Sequence, residues 1–158
     1  MNFVITLLVF LGLSINLNLA YAASGAGLDS TGSSLYKSGK KLIIKAKKLE
    51  EKDKIEKAEK LYLKALDKLE KAYDKDKKNA DILNYLGFAL RKTGNFEKAE
   101  KFYLEGLKLD ASHLGINEYL GELYVQTNRI ELAKERLQVL NGCNCEEYIE
   151  LKELIEKN

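Results

Sequence analysis

The chain has 158 residues, 32% of them charged, no proline, no tryptophan and a formal net charge of +2. That length suffices for one domain with a sizeable core, and the Lys-, Leu-, Glu- and Ala-rich composition argues against a strand-rich fold. The charge is lopsided: 16 lysines stand against nine acidic residues from Lys37 to Lys78, but ten basic against 14 acidic residues from Asn79 to Asn158.

The N-terminal stretch MNFVITLLVFLGLSINLNLAYAAS carries no charged side chain. An apolar run from Phe3 to Leu13 leads to Ala20-Tyr21-Ala22, a small-residue cleavage pattern, so residues 1–22 read as a secretory signal peptide. The rival is an uncleaved anchor, but Asn16 and Asn18 interrupt the run short of the ~20 apolar residues a span needs. The reading therefore expects a periplasmic or secreted protein with no stable membrane span after cleavage. Residues 23–34, rich in Gly and Ser, are expected to form a flexible leader.

Self-similarity organises the remainder. Leu83, Leu86-Gly87 and Leu90 are echoed by Asn117, Leu120-Gly121 and Tyr124, an offset of 34 residues. Twelve residues after each glycine stands an alanine, Ala99 and Ala133, and four further on stand Tyr103 and Leu137. Within each copy the apolar residues recur at three- and four-residue spacing, one stripe per helix, and Gly94 divides the two stripes of the better copy. An earlier, degraded copy holds Leu42, Ala46, Leu49, Ala58 and Tyr62. Its offset from the next copy is seven residues too long. The alanine–large–alanine spacing continues through Ala65, Leu69 and Ala72, which predicts a second helix about two turns longer than its counterparts. Acid–base pairs four apart (Glu50–Lys54, Asp53–Lys57, Glu56–Lys60, Asp67–Lys71) are expected to support it by about 0.2–0.5 kcal/mol each.

The pattern resembles the tetratricopeptide repeat, whose period is 34 residues. The resemblance implies an all-α, right-handed α-α solenoid of about three helix pairs over residues 35–140, divided near 39–79, 80–113 and 114–141, with a capping helix in 142–158. The family's usual terminal proline is missing, with Lys77 and Ala111 in its place, so helix ends should rest on polar and glycine signals. Asn144 followed by Glu147 reads as the N-cap of the last helix, and a charged outer face on that helix keeps the stack soluble.

The chemistry-bearing constellations are few. The single histidine, His113, has no nucleophile paired with it in sequence, there is no Gly-rich phosphate loop, and the carboxylate-rich EKAEK and EEYIEL stretches read as solvated helix faces. The expected function is a non-enzymatic interaction module without cofactor or bound metal. The resemblance implies that a peptide or protein segment binds along the concave face, on the row beside the packing stripe. That row is Ile43, Lys47, Glu50 and Glu51 in the first copy, Asn84, Phe88, Arg91 and Lys92 in the second, and Glu118, Glu122, Val125 and Gln126 in the third. Asn84 and Phe88 are its leading pair, an amide for a ligand backbone and an aromatic anchor. The Lys/Asn/Arg clamp of the family's chaperone-binding members is absent, since Ile43, Lys47, Tyr85, Gly115 and Tyr119 occupy its places.

The basic half could meet anionic envelope surfaces or the acidic half of a second copy in weak self-association; an exported protein has little occasion to meet nucleic acid. Cys143 and Cys145, the only cysteines, supply too few ligands for tetrahedral zinc and lack redox Cys-x-x-Cys spacing. A disulfide between them needs a bend, which Gly142 and Asn144 allow, and would contribute roughly 1.6 kcal/mol by loop closure. Free thiols, an intermolecular bridge, or a thiol-redox or soft-metal role are the alternatives. The ending also resembles that of small exported tetratricopeptide proteins of alphaproteobacteria, in which the cysteines are expected to stand further apart.

Overall fold

The computed structural model describes residues 30–158, and the signal peptide, the anchor alternative and most of the leader lie outside them. The described residues form seven α-helices: α1 (Ser30–Glu50), α2 (Ile55–Lys75), α3 (Ala80–Lys92), α4 (Phe96–Leu109), α5 (Leu114–Gln126), α6 (Ile130–Leu140) and α7 (Glu146–Glu156). They pair as α1–α2, α3–α4 and α5–α6. The first helices of the pairs, α1, α3 and α5, lie side by side, and α7 packs on α5 and α6 at the end of the stack. None of the helices is long and apolar enough to cross a membrane.

The core follows the repeat. Ala46, Leu83, Leu86, Leu120 and Leu123 face Ala58, Tyr62, Ala99, Tyr103 and Ala133, all of them buried. The surplus in the first pair is resolved as expected: α2 has 21 residues against 14 in α4. Its extra turns carry Ala65, Leu69 and Ala72, which are fully buried and need a partner. That partner corrects the extent of the leader. Residues 30–34 are helical because α1 runs back along the lengthened α2, with Gly39 seated on Leu69 and Gly32 on the stem of Lys75.

Helix ends rest on polar side chains in place of proline. Asp76 Oδ1 accepts from the Lys78 N–H at 3.2 Å and Asp110 Oδ1 from the Ser112 N–H at 3.0 Å. The buried Asn117 donates from Nδ2 to the carbonyls of Ala111 and His113, which locks the turn into α5. Gly94 and Gly142 both adopt positive φ, +80° and +87°, where a Cβ would be strained. The predicted pair Asp67–Lys71 forms at 2.7 Å. Glu50–Lys54 and Asp53–Lys57 do not belong to one helix, because the chain turns between α1 and α2 with Asp53 at φ +55°.

The close approach of paired helices gives a measurable consequence. A Cβ at Gly87 would run into the Tyr103 ring, which is fully buried and has nowhere to move. At Gly121 it would come within 2.5 Å of Leu151 Cδ2, the end of a flexible side chain. Alanine in a helix gains about 1 kcal/mol over glycine, whereas overpacking costs typically 1–3 kcal/mol. Gly87→Ala should therefore destabilise by about 1–2 kcal/mol, and Gly121→Ala by less. Urea denaturation of the two variants checks this, and equal stability would contradict the stated fit around Tyr103.

Candidate functional site

The face shared by α1, α3, α5 and α7 carries two adjoining clefts. One of about 380 Å³ includes Asn84, Tyr85, His113, Glu118, Tyr119 and Glu147 in its lining. A tighter one of about 140 Å³ is lined by Lys47, Glu118, Tyr119, Glu146, Glu147 and Glu150. Glu118, Tyr119 and Glu147 belong to both.

The expected ligand row is divided between this surface and the core. Phe88 is only 3% exposed. Its ring lies 4.7 Å from that of Tyr119 and 5.9 Å from that of Tyr62, so the aromatic expected to anchor a ligand instead packs three helices together. Arg91 is buried as well: its guanidinium pairs with Glu122 and lies over the Phe88 and Tyr119 rings. The fully buried Tyr103 hydroxyl faces the same guanidinium. Lys92 is taken up by Glu50 at 2.8 Å, and Glu50 also accepts the Tyr62 hydroxyl at 2.9 Å. Ile43 and Val125 are core, whereas Glu51 and Gln126 are exposed. The physical reason is stacking: a row adjacent to the packing stripe reaches the neighbouring inner helix when its side chains are as large as Phe and Arg.

Lys47, Asn84 and Glu118 do line the clefts. Asn84 is 95% buried by its 5% exposure, yet its Oδ1 has no hydrogen-bond partner, an arrangement that native structures seldom leave unused. Glu118 is 3% exposed. Carboxylate oxygens of Glu118, Glu122 and Glu150 lie within 4.8 Å of one another. Burial pushes the Glu118 carboxyl up to about 9, with a hydrogen bond to Glu150 and the charges of Glu122, Glu150 and Glu147 acting the same way. Tyr119 is raised too, by burial first and then by Glu118 and Glu122.

The contribution of α7 went unrecognised in sequence. EEYIEL reads as a solvated face, but the helix is rotated by Leu151, which is fully buried against Gly121, and this turns Glu147 and Glu150 toward Glu118. The N-cap is also one residue later than expected. Cys145 takes that position without a side-chain cap bond, while Asn144 stands at φ +51° in the preceding loop, turned by the chain reversal between the cysteines. The Cys143 and Cys145 sulfurs are at bonding distance, with Cα atoms 5.2 Å apart. His113 caps α5: its Nδ1 accepts from the Ile116 N–H, and Nε2 faces Asp81 at 3.4 Å.

Three stacked helix pairs, the second and third with small residues at a 34-residue spacing and the first seven residues longer, closed by a seventh helix, constitute an all-α tetratricopeptide solenoid. Residues 49–112 match the family profile described as tetratricopeptide repeat. No curated protein sequence matches the chain. Among solved structures, the second tetratricopeptide domain of human RPAP3, determined in complex with an HSP70 peptide, aligns over 80% of this chain and 99% of its own at 19% identity and TM-score 0.53. The Arabidopsis OM64 tetratricopeptide domain aligns over 78% and 98% at 14% identity and TM-score 0.51. A tetratricopeptide repeat protein from Parabacteroides merdae aligns over 77% of this chain and 60% of its own at 19% identity and TM-score 0.54. At these identities the likeness is one of fold.

Proposed function

We propose that the chain is a non-enzymatic interaction module of the cell envelope that holds an extended segment of a protein partner along the face of α1, α3, α5 and α7. The observation that carries this reading is the pair of joined clefts with the orphaned Asn84 Oδ1 in the lining. Asn84 Oδ1 is sealed from solvent and lacks an internal donor, so a donor from a bound chain reaches it when the amide turns toward the cleft, at no loss of an internal hydrogen bond of that atom. Peptide binding by the RPAP3 domain, whose complex has the same fold, supports the choice of ligand class. The only histidine is engaged in helix capping and an Asp81 contact, which favours binding over acid–base chemistry. The envelope placement is supported by the charge-free N-terminal stretch with its Ala20-Tyr21-Ala22 pattern. A Cys143–Cys145 disulfide fits the same oxidising compartment.

A photo-crosslinking residue at Tyr85, in the cleft, should capture one defined polypeptide in intact cells. The same residue at Leu104, exposed on α4, should not capture it. Equal capture from both positions, or none from Tyr85, overturns the assignment.

A further inference from the structure

The clefts are acidic to a degree that the chain as a whole is not. Asp81, Asp110, Glu118, Glu146, Glu147 and Glu150 line them, against Lys47 and His113. Arg91 is committed to Glu122, and among the described residues no ion pair reaches Glu118 or Glu150. Lys47 sits over the Phe88 ring, 5.8 Å from its centroid. The second, independent observation is Asn84, whose buried Oδ1 lacks a donor in the same cleft as Glu118 and Glu147. The clefts thus present six carboxyl groups and the unfilled Asn84 Oδ1 as acceptors against one ammonium, that of Lys47, an excess that a donor carrying positive charge would complement.

The geometry points to a lysine or arginine side chain of an extended partner segment as the occupant, its cationic head among Glu118, Glu147 and Glu150 and a donor N–H of the same segment on Asn84 Oδ1. This rests on the proposed function and names the chemistry of its ligand. It is opposite to what a lysine- and arginine-lined groove would select, namely a carboxylate-bearing peptide. Tyr119, common to both clefts, and Tyr85 beside Asn84 already hold Arg91 and Lys40 over their rings, so the carboxyl groups and not the aromatic walls would select the cation. A hard metal ion is the weaker occupant, because it would compete with Arg91 for Glu122. The raised Glu118 carboxyl agrees with a site that lacks its counter-charge. The 140 Å³ cleft is of the size of one long side chain, not of a folded surface, which favours an extended segment over the exposed lysines of α2 in a second copy.

The test is calorimetric titration of the full chain with four blocked decapeptides of one length: alternating Lys-Ser, Arg-Ser and Glu-Ser, and all-serine. Calcium chloride alone is a fifth arm. The Lys and Arg peptides are expected to bind and the others not. Glu118→Gln and Glu150→Gln should each weaken binding about tenfold or more, and Glu131→Gln on α6 should leave it unchanged, with helicity monitored for all three. If the Glu or all-serine peptide binds equally well, the cationic occupant is overturned, and capture of that peptide by the crosslinking residue at Tyr85 shows that the groove stands. If no peptide of any charge binds, the groove reading itself falls. Equal binding of the Lys peptide by all three variants places the contact elsewhere and overturns the inference. Calcium binding that abolishes the Lys-peptide signal overturns it in favour of a metal site.

Discussion

Replacing Arg91 by alanine should destabilise the protein by about 3 kcal/mol, the lower end of what breaking a buried ion pair costs. The lower end applies because the Glu122 side chain retains 21% exposure while that of Arg91 has 3%. Three losses combine. Glu122 is left beside Glu118 and Glu150 with no counter-charge. The Phe88 and Tyr119 rings lose the guanidinium that lies 5.4 and 5.8 Å from their centroids. A cavity opens at the centre of the inner face, where α3 meets α5. Burial pulls the Arg91 guanidinium down, but Tyr103 and Glu122 more than offset that, so the group is charged at every pH at which the protein folds. A loss of this size corresponds to a fall in Tm of roughly 10 °C for a domain of this length. The double variant Arg91→Met with Glu122→Gln should recover most of it, since a buried pair replaced whole by neutral groups of similar volume is often tolerated. Thermal denaturation of Arg91→Ala, the double variant and Arg91→Ala with Glu122→Gln decides the matter: recovery only where methionine fills the space would mean that the cavity dominates and the charge pair contributes little.

The period, the three helix pairs and the two additional turns of α2 were legible in the sequence because they depend on local spacing. Gly87, Ala99 and Tyr103 announce a close helix pair whatever surrounds them. The inner face was legible only in part. Asn84 and Glu118 occupy corresponding places 34 residues apart and both reach the clefts, as the repeat register implies. Phe88 and Arg91 come from the same row, but a row's exposure depends on what the adjacent inner helix offers, and here Tyr119 and Glu122 draw both inward. The spacing of Tyr148, Leu151 and Ile155 marks the apolar stripe of α7, but which neighbours its acidic residues meet depends on through-space packing. Leu151 seats on Gly121, thirty positions away, and Leu154 and Ile155 pack on the core, and this converts an apparently solvated acidic face into one wall of the site. The start of α1 was hidden for a related reason. Ser30–Ser34 have weak helix propensity, and their helicity comes from packing on the lengthened α2.

The stability of the protein should fall steadily as pH rises from about 5 to 9, and Glu118→Gln should abolish most of that slope. The sign follows from linkage. The Glu118 carboxyl is held at about 9 in the folded chain, far above its ordinary value of 4.5. A group that binds its proton more tightly when folded contributes its full stabilisation below the unfolded value and loses it progressively up to the folded one. While one extra proton is held, the slope approaches about 1.4 kcal/mol per pH unit. The groups that surround Glu118 determine how far the real slope approaches that limit. Glu147 and Glu150 face it from α7, Glu122 lies one turn along α5, and Tyr103 approaches from α4. Lys47 from α1 shares its cleft, Arg91 from α3 is bound to Glu122, and Arg136 of α6 is directed to Asn117 on another side of α5. Glutamine keeps the shape and can still donate to Glu150, so at pH 8 the variant should exceed the parent by about 2 kcal/mol, whereas at pH 5 the two should nearly coincide. Urea denaturation followed by helicity at several pH values measures both. Parallel curves for parent and variant would show that Glu118 is ionised in the folded protein, and that the cleft already contains the positive charge it has been argued to await from a partner.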